Sequence, residues 1–147
     1  MNGPLPSTRA FLSDVPSLPA DSKVRFLGCV KTYQISTGHL VLEHNYPRLK
    51  KPREDPPSIT IDVNAILEAM TWEELCVGAW INVIGYVRKA PVVAWDKEVV
   101  SAPASSMPES VHVDAVIVFP AGAIDLGEYE QILNDSQEVE RMRRAVE

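Results

Sequence analysis

The stretch KVRFLGCVKTYQISTGHLVLEHNY, residues 23–46, decides the fold. Its first half is rich in β-formers and too long for an ordinary strand, and Gly28 sits in its middle. A glycine inside a long strand marks a bulge or a sharp bend. The segment STGH reads as a turn in which Gly38 is free to take positive φ. In the second half Leu40 and Leu42 alternate with Val41 and Glu43, so 23–46 is expected to form a hairpin.

Working outward, SITIDV (58–63) alternates Ile59, Ile61 and Val63 against Thr60 and Asp62, a third strand. The period then changes. NAILEAM (64–70) opens on Asn64, a good helix cap, with Ile66, Leu67 and Met70 on one side, and Thr71 with Glu74 has capping-box form. Gly78 ends that helical region, and AWINVIGYVRK (79–89) is near-continuously apolar, a strand buried on much of both faces. VHVDAVIVFP (111–120) is the fifth strand. Residues 90–110 are a long connection, Ser/Ala/Pro-rich in its second half, with room for a small hairpin through Val92, Val93, Val99 and Val100. Five strands with a helix between the third and fourth is the order of the all-β OB-fold, a five-stranded Greek-key barrel whose first strand bends to serve two neighbours. The reading divides the chain into an extended lead-in (1–22), a barrel (23–121) and a C-terminal helix (122–147). Four prolines mark the lead-in, and its Phe11, Leu12, Val15 and Leu18 are expected to lie on the outside of the core.

The terminal helix is announced by Asp125 and Glu128 in capping-box positions, with Ile124 and Tyr129 placed as a hydrophobic staple. Leu126, Tyr129, Ile132, Leu133, Val139, Met142 and Val146 recur at three-and-four spacing. A closed barrel needs no further helix for its own core. Part of this stripe is therefore expected to cover one barrel end and the rest to bind a partner.

Composition narrows the chemistry. The 147 residues suit one domain with appendages, and 46% hydrophobic content suffices for a core. No apolar run is long enough to cross a bilayer, and the N-terminus lacks a secretory pattern, so a soluble protein open to the nucleus is expected. Cys29 and Cys76 stand far apart and His39, His44 and His112 are scattered, so neither a metal nor a cofactor is expected. Phosphate loops, nucleophile elbows and paired catalytic carboxylates are missing from the sequence, which argues against an enzyme. Net charge is −6, split as +3 over residues 1–57 and −9 over 58–147. Such a chain does not hold nucleic acid by bulk charge, although a local basic patch is open to it. Basic and aromatic residues gather near the loops that frame an OB ligand face: Lys31, Tyr33, Tyr46, Arg48, Lys50, Lys51 and Arg53 on one side, and Tyr86, Arg88, Lys89 and Trp95 across the barrel. Stacking rings with a basic path is how such folds hold single strands, and each residue also has an ordinary structural role open to it.

The runs VRFLGCV…TGHLVLEHNYP, ITIDVN, VGAWINVIGYV and AGAIDLGEYE, with the lead-in, resemble the Ten-one family in its fungal form, the small OB subunit of the CST telomere-capping complex. The resemblance spans nearly all of the chain outside 48–57 and 90–110. It implies a nuclear protein of the telomeric chromosome region, paired with the middle OB subunit (the Stn-one family) through C-terminal helices. It also implies assembly with the large CST subunit and a role on the single-stranded telomeric overhang. The small subunit of replication protein A is the alternative within this resemblance. A free-standing single-strand-binding OB module is the alternative outside it.

Overall fold

The structure is a computed structural model that describes residues 6–46, 55–91 and 109–146. Among the described residues six strands follow in chain order: β1 (Thr8–Arg9), β2 (Lys23–Gln34), β3 (His39–Glu43), β4 (Ser58–Asp62), β5 (Trp80–Pro91) and β6 (Glu109–Pro120). The helices are α1 (Trp72–Leu75) and α2 (Leu126–Val146), with 3-10 turns at Leu12–Ser17 and Leu67–Ala69. Strand order is β1-β2-β3-β4-β6-β5, and β2 pairs again with β5, so the five longer strands close on themselves. The β4–β6 pair is parallel and the other four pairs of the ring are antiparallel. This is the OB barrel, with β1 added at its edge.

Closure depends on β2. Lys23 to Cys29 pairs with β5 and Cys29 to Gln34 pairs with β3, so the strand changes neighbour at Gly28-Cys29. Gly28 is buried where a Cβ would stand 2.9 Å from that of Leu42, so a side chain there would push the two halves of the hairpin apart. One residue inserts between Val30 and Thr32 in the β2–β3 register. That bulge reverses the alternation, setting Tyr33 beside Leu40 and against the core.

The core is aliphatic around one ring, Phe26: Val24, Phe26, Leu40, Leu42, Ile61, Ile81, Val83, Val87 and Val113 are all essentially inaccessible. Burying each such side chain contributes about 1.5–3 kcal/mol. The lead-in joins them. Phe11, Leu12 and Val15 are buried, and Leu12 reaches within 3.2 Å of the Gly28 Cβ position, so the 3-10 turn plugs a barrel end where the sequence suggests an outer covering.

The segment 64–70 also differs from expectation. It forms turns and a short 3-10 stretch, because Asn64 does not cap a helix. Its side-chain amide donates to the Thr37 carbonyl and to Asp62 Oδ1, both at 2.8 Å, pinning the β2–β3 turn. Gly38 takes φ +70 beside it, where a Cβ would collide with the Asn64 side chain. Helical structure begins after Thr71, as the capping-box spacing suggests. β5 and β6 extend into the expected connection, as far as Pro91 and from Glu109, while the possible hairpin at Val92, Val93, Val99 and Val100 lies outside the described residues.

At Gly85 the close neighbour is backbone. A Cβ there would lie 2.3 Å from the Asp114 carbonyl oxygen, next to the β5–β6 register shift. Backbone cannot yield as a flexible side chain can. Gly85→Ala is expected to cost about 1–3 kcal/mol, read as a lower urea midpoint; an unchanged midpoint would mean that the approach is not tight.

Candidate partner and nucleic-acid interfaces

α2 has 21 residues, a length of about 31 Å. Its start is capped as expected: Asp125 Oδ1 accepts the Glu128 N–H at 3.0 Å. The seven apolar positions do not form one stripe. At about 100° per residue, Leu126, Tyr129 and Leu133 fall on one side, and Ile132, Val139, Met142 and Val146 centre about 130° away from them. The structure separates them accordingly. Leu133 is 1% exposed and Leu126 and Tyr129 are half-buried, whereas Ile132, Val139, Met142 and Val146 are 50%, 64%, 61% and 88% exposed. Three of the seven therefore anchor the helix to its own barrel and four face outward. Further along the anchoring side, Gln137 donates to Asp14 in the lead-in at 3.1 Å.

A polar pair fixes the helix root. His44 Nε2 lies 3.2 Å from Glu130 Oε2, and both residues are buried. Aromatic rings surround it: Trp80 meets His44 edge-on at 5.5 Å, and Tyr46 stacks on Phe11 at 4.1 Å. Burial pushes His44 below its ordinary range, although the hydrogen bond and charge of Glu130 pull the other way. Cys29 and His44 line a shared cleft of about 270 Å³ with Trp80, Leu126 and Glu130. Burial, then the charge of Glu43, raises the Cys29 thiol, so it stays protonated and is a poor nucleophile. The role of His44 and Glu130 was not legible, since 86 positions separate them.

The basic and aromatic candidates scatter. Lys31 is exposed at the β2 bulge, but Tyr33 faces the core and Tyr46 is occupied by Phe11. Arg88 lies over the Tyr86 ring at 5.4 Å, donates to Asp114 at 2.8 Å and is also paired with Asp21. With both carboxylates engaged, it is not a ready phosphate ligand. Lys89 is half-buried and projects to the side opposite Arg88. Arg48, Lys50, Lys51, Arg53 and Trp95 lie outside the described residues. The β3–β4 face itself carries a carboxylate: Asp62 is in register with Asp114 on β6 and sits 3.7 Å from His39, and Asp114 sits 3.3 Å from His112. Burial pulls Asp62 upward, but the Asn64 backbone and side-chain amides, then His39 and His112, outweigh it and hold the carboxyl below its usual range. Among the described residues no cluster of His, Cys, Asp or Glu could hold a metal ion.

Comparison with known proteins places this geometry. A family model described as "Telomere capping, CST complex subunit" matches residues 1–134. Among solved structures, the fold is similar to a chain of the Stn1–Ten1 complex of Schizosaccharomyces pombe, with TM-score 0.63, 21% identity and coverage of 92% of this chain and 96% of that one. It is similar to the telomere capping protein Ten1 of the same yeast, with TM-score 0.61, 22% identity and coverage of 90% and 99%. No curated protein matches by sequence.

The buried pair generates a pH prediction. Because His44 is held below its unfolded value near 6.5, the folded protein takes up this proton later than the unfolded chain does. Its contribution is intact above that value and is lost as pH falls from there through the lowered folded value. A melting series downward from neutral pH should show a falling midpoint, and His44→Asn should flatten that fall. An equally steep fall in the variant would assign the pH dependence to other groups.

Proposed function

Since the chain belongs to the Ten1 family, the telomere-capping subunits of the CST complex, we propose that it pairs with the middle OB subunit of that complex, the Stn1 family member, through the outward side of α2. The observation that carries the pairing is the exposed row Ile132, Val139, Met142 and Val146 on a helix whose other side is already spent on the barrel. A row spaced by seven, three and four residues suits a partner helix. The solved complex that this chain resembles contains a Stn1–Ten1 pair. On this reading residues 23–121 are the barrel and 122–147 the docking arm, and the chain acts by assembly and not by catalysis, in the nucleus at telomeric DNA.

The same reading gives the assembled complex, including the large CST subunit, a hold on single-stranded telomeric DNA. This chain adds Lys31 and the basic segment Arg48, Lys50, Lys51 and Arg53, which joins β3 to β4 in the sequence. The carboxylates Asp62 and Asp114 on or next to the β3–β4 face favour a supporting contact over tight binding by the isolated chain. Family membership favours the CST assignment over a replication protein A small subunit.

Two experiments test the reading. Val139→Asp or Ile132→Asp should abolish co-purification with the middle subunit while the circular dichroism of the isolated chain stays unchanged. Pairing that survives either charge would contradict it. For DNA, charge reversal at Lys50, Lys51 and Arg53 together should weaken single-strand binding by the complex. The slope of log affinity against log salt should fall by about 0.7 for each phosphate no longer neutralised, and an unaltered slope would remove that segment from the path.

A further inference from the structure

On the β1–β2–β5 side of the barrel two arginines lie side by side. The parallel pairing of β1 with β2 sets Arg9 opposite Arg25. Like charges in directly opposed positions cost stability. Among the described residues neither guanidinium has a carboxylate within ion-pair distance. Each is laid over an aromatic ring instead: Arg9 is 6.0 Å from the centroid of Tyr129, and Arg25 is 5.6 Å from that of Phe119. Arg88 is the contrast, since it also lies over a ring but is clamped by two carboxylates. A chain with net charge −6 has acids to spare, yet among the described residues none is paired with these two arginines.

Beside Arg9 a groove of about 600 Å³ opens between the lead-in and the overhanging half of α2, with Arg141 and Arg144 on its wall. Its two carboxylates are already engaged. Asp14 accepts from Gln137 at 3.1 Å and from the Phe11 N–H at 3.3 Å. Glu140 lies 3.6 Å from Arg144 and 3.9 Å from Arg143. The groove side of α2 runs through Leu133, Gln137, Arg141 and Arg144, away from the outward row. A helix docked on that row would leave the groove open.

We propose that Arg9 and Arg25, with the rings of Tyr129 and Phe119 and the groove arginine Arg141, form a path for single-stranded nucleic acid, separate from the β3–β4 face. Guanidiniums interleaved with rings match a ligand in which phosphates alternate with bases. An acidic peptide would use the charges and leave the rings idle. Arginine suits the task because its planar fork presents several N–H donors to a phosphate while stacked on a ring. The inference rests on the reading that the assembled complex holds single-stranded DNA.

The test uses the full chain paired with its middle subunit and a fluorescein-labelled single-stranded oligodeoxynucleotide, followed by anisotropy across a salt series. Arg9→Ala with Arg25→Ala should weaken binding about tenfold and lower the salt slope by about 1.4, the value for two phosphates left without their arginines. Pairing with the middle subunit should not change. If the alanine pair lowers the melting midpoint, Arg9→Gln with Arg25→Gln keeps the stems and gives the same readout. An unchanged slope, with charge reversal at Lys50, Lys51 and Arg53 still effective, would overturn the path and leave the proposed function standing. Weakened pairing with unchanged DNA binding would also overturn it, assigning the arginines to an acidic segment of the partner. No single-strand binding by the wild-type complex would remove the underlying reading and the path together.

Discussion

One twelve-residue strand has to belong to two neighbours at once, and the rest of the molecule follows from how it does so. β2 spends its first half on β5 and its second half on β3. Without that exchange the sheet would have two open edges, each a row of unpaired backbone groups. The exchange needs a residue that lets Leu42 and Leu12 come close, and Gly28 is that residue. Closure then settles what remains for the appendages. The lead-in plugs one end through Leu12 and Val15, and α2 is seated through Leu133 and the buried His44–Glu130 pair.

The seat gives α2 its two characters. Its inner side is committed to the barrel and lead-in, and its outer side carries exposed apolar residues with no partner among the described residues. Exposed apolar side chains in a row this regular are a cost for an isolated protein and an asset for a subunit. The polar anchor matters for the same reason. A hydrogen-bonded pair in a buried site is direction-dependent, whereas apolar contact alone would let the helix slide or roll. His44 and Glu130 thereby fix which residues face out, although neither is exposed enough to touch a partner.

Much of the fold was legible because the barrel is built from local alternation. Ile59, Ile61 and Val63 announce β4, and Gly28 marks the bend from its place in the long strand alone. The misses share a physical cause, a long-range contact that overrides a local signal. Asn64 has the chemistry of a helix cap but bonds to Thr37 across the turn. Tyr33 reads as outward-facing until the bulge between Val30 and Thr32 reverses the phase of β2. Phe11 and Tyr46 stack across 35 positions of sequence, which removes Tyr46 from the ligand face. The helical stripe was legible as apolar, but its division into inner and outer sides depends on where Leu133 finds the barrel. For the binding surfaces, sequence spacing placed charges near the expected loops and could not show that Arg88 was already paired or that Arg9 would meet Arg25.

The central claim is that pairing is made by the outward side of α2 and not by the barrel face. Hydrogen–deuterium exchange on the full chain, free and bound to the middle OB subunit, addresses it most directly. The account predicts new protection running along α2 from about Ile132 towards Val146, where the free helix is solvated, with the amides of β3 and β4 unchanged. Protection confined to β3 and β4, with α2 exchanging as it does in the free chain, would contradict it.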